Sequence, residues 1–166
     1  SLERRGVKEL QLTNQQVVDM MGAYSSSLEE SARLLGATFA ASLPKRMSVD
    51  PAHLIASGEK TLPTLKGGDV VFNNNFAQVD EFSRLTGGVA TLFVRDGDSF
   101  FRVTTSVKNK EGVRVTGTAL DAKHPAYRLL LEGQPYVGKA TLFGKDYMTR
   151  YLPIKDEADK VIGIAF

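Results

Sequence analysis

Val89 to Val107 reads V-A-T-L-F-V-R-D-G-D-S-F-F-R-V-T-T-S-V, and how this stretch pairs with itself decides the fold. Two runs of β-branched and aromatic residues flank Asp96-Gly97-Asp98-Ser99, and a glycine-bearing turn between such runs is a strong hairpin signal. With Asp96 opposite Ser99, the register predicts Arg95 opposite Phe100, Phe93 opposite Arg102, Thr91 opposite Thr104 and Val89 opposite Ser106. Side chains alternate across a strand. One face therefore carries Arg95, Phe93, Thr91, Arg102, Thr104 and Ser106, and the other carries Ala90, Leu92, Val94, Phe101, Val103 and Thr105. The second face reads as core. The first is either solvated, the usual fate of hairpin arginines, or turned into a pocket.

The rest of the composition narrows the field. A chain of 166 residues suits one well-buried domain. Its 21 basic and 19 acidic residues leave a net charge of +2 without a basic block, so nucleic acid is not an expected partner. There is no cysteine and there are two histidines, His53 and His124, which removes thiolate chemistry and starves a multi-histidine metal site. No metal and no cofactor is expected. No run of about 18 apolar residues offers a membrane span, and no secretory leader opens the chain. The start at Ser-Leu-Glu-Arg-Arg, without Met, suggests a piece of a longer protein.

Upstream of the hairpin, Gln11 to Leu43 reads as one long helix. Met21, Leu28 and Leu35 recur every seven residues, as do Val17 and Tyr24, while Ala32 and Phe39 widen the stripe. Ser31 and Thr38 interrupt the second apolar row, so a strict coiled coil is only partly supported. Thirty residues of helix would span about 45 Å, and part of it should project or meet a second copy. Pro44 ends it. Met47 to Gly68 is punctuated by Pro51, Ser57-Gly58, Pro63 and Gly67-Gly68 and reads as a linker, with room for a helical turn at Ala52 to Ala56. Val70 to Phe72 is a short strand candidate. Asn73-Asn74-Asn75 is turn chemistry that would cap a helix from Phe76 to Leu85.

Downstream, Lys108 to Gly112 is a polar loop, and His124-Pro125 opens a helix ending at Gly133. Strands follow at Tyr136 to Phe143 and Tyr147 to Lys155, and a last one at Val161 to Phe166 is apolar on both faces and therefore central. A long helix, short helices and five strands in hairpins make an α+β domain. If the long helix covers the apolar face of the sheet, short helices and loops must roof the polar one, and polar groups converging under a roof make a pocket. The expected organisation is one domain overall, with 1–45 the long helix and 46–166 the ligand-binding part.

Several segments, kept in order along the chain, carry a family resemblance. They are T-L-P-T-L at Thr61–Leu65, G-G-V-A-T-L-F-V-R at Gly87–Arg95, F-F-R-V-T-T-S at Phe100–Ser106, and G-T-A-L-D-A-K-H-P-A-Y at Gly117–Tyr127. Two more are Y-V-G-K-A-T-L-F-G-K-D-Y-M-T-R-Y-L-P-I at Tyr136–Ile154 and V-I-G-I-A-F at Val161–Phe166. Together they resemble the single-Cache domains of bacterial methyl-accepting chemotaxis receptors and sensor kinases. The resemblance implies an extracytoplasmic, periplasmic PAS-like sensor with sheet order 2-1-5-4-3, flanked in the intact receptor by two membrane spans. It also implies a homodimer through the long helix and a small metabolite ligand, often a short carboxylate such as acetate, propionate or pyruvate. The chain has no tryptophan, so the aromatic signature of amino-acid-binding relatives is missing.

Arg102 is the leading candidate ligand residue, because a desolvated carboxylate needs a planar two-pronged cation. Thr91, Thr104 and Ser106 share its face and could donate hydroxyls. Tyr147 and Tyr151 could form walls with an OH at the tip, Phe93 a plain wall, and Tyr127 part of the roof. Each has an ordinary structural alternative. His124 reads as a helix-start residue with an exposed ring. No Gly-x-Ser-x-Gly elbow exists and neither histidine has a motif partner, so no catalysis is expected. Two other functional readings stay open: a cytoplasmic PAS or GAF-like cofactor module, and a purely structural dimerisation segment.

Overall fold

A computed structural model describes residues 13–166. The expected helix start at Gln11 lies outside them. Helix α1 runs Asn14–Ala41. A capping box opens it: the Thr13 hydroxyl accepts from Gln16 N, and the Gln16 side chain accepts from Thr13 N. Its buried residues are Ala32 and Phe39, the pair that only widened the heptad stripe. The heptad row itself is outside: Met21 and Tyr24 are about two-thirds exposed. The helix thus packs on its own domain through its C-terminal half.

The region read as a linker is instead a hairpin of β1, Met47–Ser57, and β2, Lys60–Gly67, with a short β3 at Val70–Val71, giving a sheet of order β1-β2-β3. Two devices let prolines sit in these strands. The register breaks between Asp50 and Leu54, so Pro51 falls in a bulge on an edge strand. Around Pro63, the buried Asn73 side chain replaces a missing neighbour strand, accepting from Leu65 N at 2.8 Å and donating to the Pro63 carbonyl at 3.0 Å. Asn73 is therefore a bridge and not a helix cap. Helix α2, Ala77–Thr86, begins after Phe76, which makes no side-chain cap bond, while Asn75 Oδ1 from the expected turn accepts from Ala77 N at 3.4 Å; the helix stops at Gly87 in the left-handed region.

The main sheet comprises β4, Thr91–Asp96, β5, Ser99–Thr105, β6, Tyr136–Leu142, β7, Lys145–Lys155, and β8, Val161–Ala165. Its order is β5-β4-β8-β7-β6, antiparallel throughout. Counted within the sheet this is 2-1-5-4-3, the order the resemblance implied. The apolar β8 is central as expected. Gly163 allows β8 to lie close to β4, since a Cβ there would collide with the Phe93 carbonyl.

Each face of this sheet has its own core. Leu92, Val94, Val103, Ile162 and Ile154 pack with Phe39 of α1, Val79 of α2, and Leu62 and Leu65 of β2. Phe93, Phe100, Tyr151 and Ile164 pack on the opposite face under helix α3, Pro125–Leu131, through Ala126 and Leu130. The fold is α+β, with the long helix on one face and a short helix and loops on the other.

Candidate functional site

The β4–β5 hairpin forms in the expected register for four pairs, from Asp96↔Ser99 to Phe93↔Arg102. Then a bulge intervenes, placing Leu92 opposite Thr104 and Thr91 opposite Thr105. One extra residue on β5 moves every later side chain to the other face. Thr104 consequently leaves the Arg102 face, and its hydroxyl donates to the Asn75 carbonyl at 2.7 Å on the α2 side. Thr91 is fully buried, with its hydroxyl 2.7 Å from that of Thr105. Ser106 Oγ accepts from Ala90 N at 2.9 Å. These hydroxyls are engaged inside the protein.

Arg102 stays on the cleft face. It is 5% exposed, which for arginine calls for an explanation. Along the open edge of β5 runs a roof segment: Arg102 N donates to Thr118 O, Gly117 N to Arg102 O and Leu120 N to Phe100 O. From this position Arg102 Nη1 donates to Thr118 Oγ1 at 3.0 Å and to Ala119 O at 3.2 Å. The guanidinium lies over the rings of Phe93, at 4.8 Å, and Phe143, at 5.3 Å, each such contact contributing about 0.5–2 kcal/mol. Among the described residues no ion pair includes Arg102. Burial pushes its pKa down to about 10, with Tyr151 opposing weakly, so it remains a cation at neutral pH, without an anion.

A cleft of about 310 Å³ opens beside this cation, lined among others by Arg102, Leu120, Asp121, His124, Thr141 and Phe143. A smaller, mostly apolar hollow of about 100 Å³ lies under α1, between Phe39, Phe82 and Met148, with Tyr147 and the half-buried Arg150, whose Nε is buried without a partner among the described residues, also in its wall.

His124 and Tyr151 complete the set. Tyr151 is fully buried within a ring of aromatics: Phe166, His124, Tyr136 and Phe93 have centroids 4.8, 5.3, 6.1 and 6.5 Å away. Its hydroxyl has no hydrogen-bond partner, and burial pushes its pKa up to about 12. His124 caps α3, accepting from Ala126 N through Nδ1 at 3.0 Å. That bond leaves the ring proton on Nε2, and Nε2 is also buried without a partner. Orphaned buried polar atoms are rare and each needs an account; two beside an unpaired cation mark this end of the cleft.

The structure thus brings Phe93, Arg102 and Tyr151 together and adds His124 and Phe143. Tyr127 lies elsewhere: its hydroxyl donates to the Asp98 carbonyl and its ring meets Phe100 edge-on, tying α3 to the hairpin. Tyr147 sits at the far end of β7 with Asn109, Lys110 and Phe143 around a different hollow. Arg95 pairs with Asp98 beside the turn. The sequence signal for His124 was its place before Pro125, a cap position that fixes Nδ1; nothing in it shows where Nε2 ends up.

Burial is the main reason the His124 pKa lies below its ordinary 6.5; Asp121 opposes the shift and Arg102 adds to it. Since the folded ring resists protonation more than the unfolded one, this contribution to stability is present above pH 6.5 and is lost as pH falls toward the folded pKa. Melting temperature measured from about pH 7.5 to about pH 5 should drop less in His124→Asn, which keeps a capping side chain, than in wild type. Identical slopes would contradict a half-buried imidazole held neutral by the fold.

No helix among the described residues is long and apolar enough to cross a membrane. The family model described as the Cache 3/Cache 2 fusion domain matches residues 3–166. No curated protein matches the chain.

Proposed function

Because the chain belongs to the Cache 3/Cache 2 fusion domain family, a family of extracytoplasmic small-molecule sensor modules, we propose that it senses a short carboxylate in the Arg102 cleft. The observation that carries this reading is the buried guanidinium with no acid paired to it among the described residues. Removing a cation from water is costly unless an anion or strong acceptors replace the solvent. Its Nη1 bonds and its two aromatic neighbours account for only part of that cost, and its other N–H groups are available for a two-pronged contact. Phe143, Leu120 and Leu142 line the cleft and would bound the apolar end of the ligand, with Phe93 and Tyr151 in the core of that sheet face, and about 310 Å³ is room for a small metabolite.

The same reading places the domain in the periplasm as the sensing part of a transmembrane chemoreceptor, a placement that rests on the family resemblance and would serve a sensor kinase equally. Its partner would be a second copy met along α1. The exposed apolar row Val17, Met21 and Tyr24 supports that role, since a monomeric helix gains nothing from leaving such a row in water. Occupancy would reach the output through α1, by whatever difference in affinity the ligand has for two positions of that helix.

Titration calorimetry and thermal shift with acetate, propionate, pyruvate and succinate test the site. A ligand at a hundred times its Kd should add about 2.7 kcal/mol, or roughly 5–10 °C in a domain of this size. Arg102→Ala should remove the shift. Equal stabilisation of wild type and Arg102→Ala would sink the assignment.

A further inference from the structure

The polar atoms around the cleft are not interchangeable, and their hydrogen-bonding capacity selects among carboxylates. His124 Nδ1 is committed as acceptor to Ala126 N, at the first turn of a helix opened by Pro125. The ring is therefore held in one tautomer, and Nε2–H can only donate. Nε2 has no acceptor among the described residues and essentially no solvent to turn to. The neighbouring Tyr151 hydroxyl, with ring centroids 5.3 Å apart, is equally unpartnered. Arg102 offers donors only.

The other titratable groups near His124 do not change this balance. Tyr136, at 5.6 Å centroid distance, meets the imidazole edge-on. Asp121 and Lys123 are exposed, and the Asp121 carboxylate is turned to Lys123 N at 2.9 Å. Thus the cleft wall holds the Arg102 cation and an obligate N–H donor at His124, with the exposed Asp121 and Lys123 completing its charged lining and the fully buried Tyr151 packed against the His124 ring outside that lining; among the described residues no buried carboxylate is there to receive a ligand's ammonium.

Resting on the carboxylate reading above, we infer that His124 is a specificity-determining residue, and that the site takes carboxylates bearing an oxygen acceptor on the adjacent carbon, that is, 2-oxo or 2-hydroxy acids. The carboxylate engages the free edge of the Arg102 guanidinium. The oxygen at the second carbon accepts from His124 Nε2–H. A plain fatty acid leaves Nε2–H unpaired. An amino acid of the same size sets its ammonium against an N–H and a guanidinium and is rejected. Discrimination arises because the oxygenated ligand satisfies an N–H that is buried and unpartnered in the ligand-free protein, a gain that a plain fatty acid cannot make.

The test is calorimetric titration at about pH 7.5 with pyruvate, lactate, propionate and alanine, on wild type and on His124→Asn. Asparagine preserves the α3 cap and is too short to carry a donor to the Nε2 position. Wild type should bind pyruvate or lactate on the order of 10-fold or more tighter than propionate and show no heat with alanine. In His124→Asn the gap should close to within about 3-fold, through loss of the oxygenated ligands' affinity while that for propionate holds. Equal affinities in wild type, measurable alanine binding, or equal weakening of all ligands by His124→Asn would overturn the inference and leave the carboxylate site standing. Absence of binding by every carboxylate would overturn both. A melting curve of each variant confirms that the fold is kept.

Discussion

Arg102→Met is expected to make the ligand-free protein more stable by about 1–3 kcal/mol while abolishing its response to carboxylates. Methionine has a similar reach, exchanges the cation–π contacts with Phe93 and Phe143 for sulfur–aromatic ones, and removes a charge that lacks an anion among the described residues. The acceptors it abandons, Thr118 Oγ1 and Ala119 O, belong to exposed residues, so water can replace the guanidinium. Urea denaturation of both proteins without ligand measures the difference. The opposite sign, a loss of about 1–3 kcal/mol, would mean that Arg102 is a staple holding the roof segment to β5, and a purely structural account of its burial would then suffice. The prediction separates a binding residue from a structural one because binding sites carry their strain in the empty state.

That Arg102 could be singled out from the sequence, and Thr104 could not be excluded, has one physical cause. Up to Phe93↔Arg102 the turn fixes the register, and alternation assigns faces correctly. Beyond it, Val103, Thr104 and Thr105 are all β-branched, equally at home on either face of a strand. The pattern carries no mark of the extra residue that the bulge inserts. The second miss, Met47 to Gly68, is of the same kind. Prolines argue against strands unless something replaces the lost ladder bond, and the replacement is the side chain of Asn73, ten residues from Pro63. Local sequence cannot announce a partner that arrives from elsewhere in the chain.

The site itself was half legible. A polar hairpin face needing a roof followed from strand alternation plus the requirement that the apolar face meet the long helix. Helix α3 and the segment from Gly117 to Leu120 supply that roof. The roles of Tyr127 and Tyr151 could not be told apart, since both are tyrosines on elements facing the cleft side. Tyr127 spends its hydroxyl on a backbone carbonyl, whereas Tyr151 keeps its own unspent, and only the packing distinguishes them.

Phe39→Ala should be the most damaging single truncation in α1, costing about 3–5 kcal/mol, a large share of the 5–15 kcal/mol typical of a whole domain. Phe39 is 2% exposed and is one of only two buried residues of the described helix, so the attachment of α1 is concentrated there. Gly36 next to it admits the stem of Arg150, a close approach that a Cβ would obstruct. The Phe39 ring packs on Phe82 of α2 at 5.2 Å. Helix α2 is in turn fastened to the loop leading into the roof, because Arg114 makes two 2.7 Å bonds to the Asp80 carboxylate and lies over Phe76 at 4.2 Å. These bonds hold the Asp80 carboxyl below its usual range. A continuous set of contacts therefore runs from the segment over Arg102, through α2, to the one large side chain that anchors the long helix. Contiguity alone is not coupling, so the decisive measurement is twofold. Chemical denaturation should show the loss in Phe39→Ala, and hydrogen exchange with and without carboxylate should show ligand-dependent protection of α1 in wild type that disappears in the variant, while affinity stays within about 3-fold. A cost under about 1 kcal/mol, or α1 protection that responds to ligand as before, would show that the helix is held and moved by other contacts.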